Sequence, residues 1–307
     1  MPQPSEAVRP APAKRRTVDR LRDAALRRTF RAGWRVAAHV PEPVVRAAVA
    51  GAARLAMTRQ GHHLGLLRRN LSLVTGRPAD EDLLRAGVAS YLRSFWEVLA
   101  LPGWSRAEAV GRVRTEGEHH LRDAYAGPGA VVALPHSGNW DLAGAWACGT
   151  GMPVTTVAEQ LSDAEFAAFV GFRERLGMEV LSHREPGAIS ALAGAVGRGR
   201  LVCLMADRDL DGTGLAVRWG DQPVSMPAGP AMVARRTGAR LVPAVCRYEA
   251  DVMVIRFAPP VAPRPGRDGL VAMTQEVADF FAAELARHPQ DWHMLQPFFA
   301  VDRGARR

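Results

Sequence analysis

The 307 residues are 48% hydrophobic and 23% charged, enough for one large core or two smaller ones, which excludes a chain disordered throughout. The net charge of +9 is not spread evenly. The first 60 residues hold 13 basic and 4 acidic side chains, and the other 247 hold 27 of each. A basic block at one end fits an anchor to acidic lipid or an arm on nucleic acid better than a charged stripe across a fold. Cys148, Cys203 and Cys246 are far apart, odd in number and inside apolar stretches, so they read as buried thiols of a reducing compartment, without a disulfide framework or a zinc spacing.

In chain order, residues 1–16 are rich in Pro, Ala and Arg and read as a disordered basic tail. No apolar run followed by a small-residue cleavage site follows, so no secretory signal is expected. Residues 17–105 read as a helical, membrane-associating region. Its first helix places Leu26, Phe30 and Trp34 at four-residue spacing, with Arg27, Arg31 and Arg35 one step behind on the neighbouring flank. Such a helix fits the interface of an anionic membrane, or a core-facing stripe with solvated charges. Three more helices are predicted at 43–58, 62–75 and 80–100. The longest uncharged stretch, residues 142–158, is broken by Gly144, Gly149, Gly151 and Pro153, so no transmembrane helix is expected.

From about residue 106 to 307 short apolar runs alternate with helical patterns. Strands are predicted at 130–134, 154–157, 179–181, 201–205, 240–245 and 253–257. Helices are predicted at 139–148, 162–176, 186–197, 227–237 and 269–287. This rhythm gives the α/β class, with a central, mostly parallel β-sheet flanked by helices, read as one continuous domain with the basic helical region.

The chemistry concentrates at strand ends. His136-Ser137-Gly138-Asn139-Trp140-Asp141 follows the strand at 130–134, carries turn residues, and leads into a helix with Asn139 as N-cap. As a count, His-x4-Asp is expected about once by chance in this composition, so its position carries the argument. The end of a strand is where α/β folds build sites. An Asp beside a His fixes its tautomer and stabilises the imidazolium formed when it deprotonates a hydroxyl, help worth about 10² to 10⁴ in rate. On these residues alone, a His that caps a strand and an Asp that favours a helix N-terminus remains an equal reading. Ser137 lacks the Gly-x-Ser-x-Gly elbow of a nucleophile. Asp207-Arg208-Asp209 follows the strand at 201–205. If that strand neighbours the one before His136, Asp207 supplies a second carboxylate and Arg208 an anion-binding charge.

Five ordered segments resemble the actinobacterial phosphatidylinositol mannoside acyltransferases, relatives of the bacterial lipid A acyltransferases that share a His-x4-Asp/Glu motif. They are Pro135 to Asp141; Thr155-Thr156-Val157-Ala158-Glu159-Gln160-Leu161; Phe172-Arg173-Glu174-Arg175-Leu176-Gly177; Leu204-Met205-Ala206-Asp207-Arg208-Asp209-Leu210; and Asp291-Trp292-His293-Met294-Leu295-Gln296-Pro297. The resemblance covers about residues 110–300. It implies a metal-free, cofactor-free α/β enzyme, peripheral on the cytoplasmic face of the inner membrane. Its co-substrate would be acyl-coenzyme A and its acceptor a mannose of phosphatidylinositol mannoside or a related glycolipid, which would receive a palmitoyl-type chain. Carried over, His136 is the base, Asp141 its partner and Asp207 a second acid of the relay, with Asn139, Glu159, Arg173 and Arg208 binding substrate. Asp207 stands where glutamate is common in the family. The other readings are a different lipid acyltransferase, a thioester hydrolase, and a nucleic-acid binder. The last lacks any CxxC finger, RNP-like strand or aromatic-interleaved basic patch.

Overall fold

A computed structural model describes residues 36–59, 61–158, 170–183 and 186–299. The basic helix with Leu26, Arg27, Phe30, Arg31, Trp34 and Arg35 lies outside the described residues, as does Glu159. The described residues begin with three long helices, α1 (Glu42–Met57), α2 (His62–Thr75) and α3 (Glu81–Ala100), close to the predicted bounds. Asp80 caps α3 by accepting a hydrogen bond from the Leu83 N–H at 2.8 Å. Leu67, Leu71, Ala79 and Leu84 make the small core between α2 and α3.

The remainder is an α/β layer structure. Its elements are α4 (Arg106–Gly111), β1 (Val113–Glu116), α5 (Glu118–Ala126), β2 (Ala130–Leu134), α6 (Trp140–Gly149), β3 (Val154–Ala158), β4 (Glu179–Ser182), α7 (Ala188–Gly197) and β5 (Leu201–Met205). Then come β6 (Leu215–Trp219), β7 (Gln222–Met226), α8 (Gly229–Thr237), β8 (Arg240–Glu249), β9 (Val252–Phe257) and α9 (Gly266–Arg287). Seven strands form one sheet in the order β1-β9-β8-β2-β5-β3-β4, parallel throughout except for β8 against β9. The central, mostly parallel sheet flanked by helices is the expected class.

Pairing on both sides explains why β2 is apolar along its whole length: both its faces are buried. Alternate residues serve different layers. Val131 and Ala133 pack with Val202, Leu204 and the apolar sides of α7, α8 and α9. Ala130, Val132 and Leu134 pack with Leu201, Val242 and the side chains of α5 and α6. The α6 residues Ala143, Gly144 and Ala147 are small and line the space between the helix and this second face.

Five elements escaped the sequence reading: the short helices α4 and α5 and the strands β1, β6 and β7. β1 has the sequence Val-Arg-Thr-Glu and is at most half-buried, so it carries no apolar run to betray it. The hairpin β6–β7 alternates buried and exposed residues, and Pro223 stands in its second strand, a residue that argues against a central strand and suits an edge. β8 continues four residues beyond the predicted end because Cys246, Arg247, Tyr248 and Glu249 pair with β9. The three cysteines are free, and burial pushes the Cys246 thiol up to about 12, consistent with inert core thiols. No helix among the described residues is long and apolar enough to cross a membrane.

The hairpin is fastened by aromatic packing: Trp219 stacks on Trp292 at 5.4 Å between centroids and meets Phe281 of α9 at 6.1 Å. Phe281 is fully buried. Phe281→Ala is expected to cost about 3 to 5 kcal/mol in denaturant unfolding, with the m-value unchanged.

Candidate active site

The site grows from the pairing of β2 with β5. Leu134 lies opposite Met205, and the Ala206 N–H donates to the Leu134 carbonyl at 2.8 Å, so the register runs on past the strands. Two residues further, His136 and Asp207 stand level. The His136 N–H donates to Asp207 Oδ2 at 2.9 Å, and His136 Nδ1 meets Oδ1 at 2.6 Å. Trp292 Nε1 donates to Oδ2 at 3.0 Å. Asp207 is fully buried, which alone would raise its pKa. The adjacent His136 and the three hydrogen bonds outweigh burial and hold the carboxyl below the ordinary aspartate value. Because Nδ1 faces a carboxylate, the proton sits there and Nε2 is the basic nitrogen, on a side chain that keeps 19% exposure.

The expected pairing of His136 with Asp141 is corrected. Asp141 lies in the first turn of α6, but its carboxylate is taken by Arg173, whose Nε and Nη2 donate to Oδ1 and Oδ2 at 2.6 and 3.2 Å. Arg173 comes from helical residues 170–175, and its pKa is raised because the pull of Asp141 overcomes its own desolvation. Both side chains are nearly dry, so each needs the other: a buried charge stripped of its partner costs about 3 to 5 kcal/mol. The reason is geometric. Asp141 starts a helix that leaves the strand end, whereas Asp207 is held level with His136 by the sheet. The shorter aspartate at 207 reaches His136 because the backbone of β5 brings it there.

The turn between His136 and α6 admits few side chains. Gly138 has φ +55°, and a Cβ there would lie 2.8 Å from the Cys246 Cβ and 2.9 Å from its carbonyl carbon. Asn139 caps α6, accepting from the Leu142 N–H at 3.0 Å, and its Nδ2 donates to Glu97 of α3 at 3.1 Å. Asn139 is buried in these contacts, which makes it a positioning residue rather than a substrate ligand. Ser137 is fully buried, and its oxygen accepts from the Cys246 N–H, which removes it as a nucleophile. Arg208 follows Asp207 directly, and Asp209 accepts from Ser225 of β7 at 2.5 Å.

Residues 291–294 were noted in the sequence but given no role, and the structure gives them one. Ser137 and Trp292 form a β-bridge, the His293 N–H donates to the His136 carbonyl at 2.8 Å, and the Gly138 N–H donates to the Asp291 carbonyl at 2.9 Å. The same segment grips the helical layer: Ser90 of α3 donates to Asp291 Oδ1 at 2.6 Å, and Asn70 of α2 donates to the Met294 carbonyl at 2.8 Å. With its hydrogen on Asp291, the Ser90 oxygen accepts from His293 Nε2 at 3.1 Å, which leaves His293 Nδ1 a bare, buried acceptor without a partner among the described residues.

Beside this pair an apolar cleft with a cavity volume of about 60 Å³ runs between α6 and the sheet. Leu134, Met205, Trp140, Asp141 and Arg173 line the end near His136, and Val154, Leu201 and Met178 the other. A His–Asp pair beside a hydrophobic slot is an arrangement suited to acyl chemistry.

Residues 19–300 match the family model described as bacterial lipid A biosynthesis acyltransferase. The chain belongs to this family. It is 41% identical over 280 residues to a phosphatidylinositol mannoside acyltransferase of Mycolicibacterium smegmatis, covering 89% of this chain and 91% of that protein. It is 40% identical over 283 residues to a protein of the same name from Mycobacterium tuberculosis, covering 89% and 88%. The chain is thus an acyltransferase, and the resemblance seen in its motifs holds over nearly the whole length.

Two outcomes are expected of the site. Trp292→Phe removes one donor from a buried carboxylate, so stability is expected to fall by about 1 to 3 kcal/mol, and kcat to fall while KM for the thioester holds. His293 is buried, and desolvation first, then the charge of His136, push its pKa down to about 3. An unfolded histidine protonates near about 6.5, so between these values the unfolded chain binds the extra proton. The stability tied to neutral His293 is therefore complete above about pH 6.5 and lost as pH falls toward 3. Thermal melts across that window are expected to flatten in His293→Gln.

Proposed function

We propose that the protein transfers a long, palmitoyl-type acyl chain from acyl-coenzyme A to a mannose hydroxyl of phosphatidylinositol mannoside, working peripherally at the cytoplasmic face of the membrane. The observation that carries this reading is the His136–Asp207 pair beside an apolar cleft, with Trp140 lining the cleft and its ring 5.3 Å from that of His136. The names of the mycobacterial relatives support the acceptor.

In this reading the acyl chain lies in the cleft with its thioester carbonyl at His136. Nε2 takes the proton of the acceptor hydroxyl as its oxygen bonds to the carbonyl carbon. The carbon–sulfur bond then breaks, and the imidazolium returns the proton to the leaving thiolate, so the enzyme ends as it began. Asp207 stays ionised and stabilises the imidazolium. Asp141 serves the same reaction at one remove, holding Arg173 against the mouth of the cleft. Arg208 is the cation for an anionic group of the donor or acceptor, and Glu159 adds an acid on the acceptor side. The basic N-terminal block draws the protein to anionic lipid, where the glycolipid acceptor presents its mannose.

The test is thiol release from palmitoyl-coenzyme A with and without phosphatidylinositol mannoside. Release that requires the acceptor, and that falls by about 10² to 10⁴ in His136→Ala, is expected. Release that ignores the acceptor would make the protein a thioester hydrolase, and acceptor-dependent release that survives the substitution would sink the mechanism.

A further inference from the structure

The cleft has a definite depth and something movable in it. Val154 is level with Leu201, and Thr155 with Glu179, so Met178, one residue before Glu179, stands at the same level as Val154 and Leu201. Met205 lies four residues along β5 from Leu201, about 13 Å away. α6 lies over this span, with Asp141 and Gly144 three residues apart on it, and both line the cleft.

At Gly144 the packing is unusual. A Cβ built there would lie 2.5 Å from the Met178 Cε and 2.9 Å from its Sδ. The end of the Met178 side chain therefore fills the notch that the missing Cβ leaves, reaching from the sheet side of the cleft to the helix. Gly144 and Met178 both line the cleft, and Met178 is almost wholly buried. Methionine is unbranched and adaptable, so its tip has several rotamers at small cost. The open space into which it can turn is the cleft itself.

We propose that the Met178 thioether, seated in the Gly144 notch, is the stop that sets the length of acyl chain the cleft accepts. This rests on the reading that the cleft holds the acyl chain. Gly144 matters because it lets the stop sit back against the helix. A larger residue at 144 drives the stop into the chain's path, and a smaller one at 178 removes it.

The experiment uses Gly144→Ala, Met178→Ala and the double variant, with Met178→Leu as the milder change should Met178→Ala melt early. Each is assayed for acyl transfer from a homologous series of saturated acyl-coenzyme A thioesters, and for displacement of a fluorescent fatty acid by free fatty acids of the same series. In Gly144→Ala, a substitution that also favours the helix, the longest accepted chains are expected to lose about fourfold in kcat/KM for each methylene left unburied, with short chains unaffected. Met178→Ala is expected to shift the preference to longer chains, Met178→Leu less so. The double variant is expected to match Met178→Ala, because the new Cβ at 144 then meets nothing. Profiles that keep the wild-type shape in every variant would overturn the stop and leave the acyltransferase reading intact. Shifted displacement profiles in a protein that transfers none of the thioesters would uphold the stop and overturn that reading.

Discussion

Everything at the site depends on the alignment of β2 with β5. Leu134 opposite Met205 fixes, two residues on, His136 opposite Asp207, and a hydrogen bond from the His136 backbone to the same carboxylate locks the level. The carboxylate is buried without penalty only because His136, its N–H and Trp292 all face it. The geometry of the pair is thus a property of the sheet rather than of a loop, which holds it within a fraction of an ångström.

Much of this was legible in the sequence. The strands 130–134 and 201–205 were placed to the residue, since apolar β-rich runs bounded by turn residues leave little choice, and Asn139 was read correctly as the cap of α6. The wrong step was to give His136 the aspartate five residues away in the chain. Spacing along the chain reports proximity only within one element, and His136 and Asp141 belong to different ones. That β5 sits between β2 and β3 is a fact of sheet order, which no local pattern encodes. Once β5 is known to adjoin β2, two residues past each strand end gives the pair directly. The ion pair of Asp141 with Arg173 was hidden for the same reason, although both residues stood among the site candidates.

The C-terminal segment was the least legible part. Nothing in Asp291-Trp292-His293-Met294 says that it will lie across the end of β2, because its bonds to Ser137, Gly138 and the His136 carbonyl are mostly main-chain. The segment is then held from both sides: Ser90 bonds the Asp291 carboxylate and Asn70 the Met294 carbonyl from the helical layer, and Tyr248 donates its backbone N–H to Asp291 Oδ2 at 3.0 Å. The helices α2 and α3 and the sheet are joined through the strip that frames His136. Strain or loosening in that layer is transmitted to the site by a short, buried route.

The division of labour between the two aspartates is the claim most open to measurement. A double-mutant cycle on kcat/KM for acyl transfer, built from His136→Ala, Asp207→Asn and Asp141→Asn, addresses it directly. If Asp207 acts through His136, the His136→Ala/Asp207→Asn variant is no slower than His136→Ala alone, while Asp141→Asn multiplies the effect of either. An Asp141→Asn effect that vanishes in the His136→Ala background, with Asp207→Asn adding its full effect there, would contradict the pairing seen in the structure and restore Asp141 as the partner of the base.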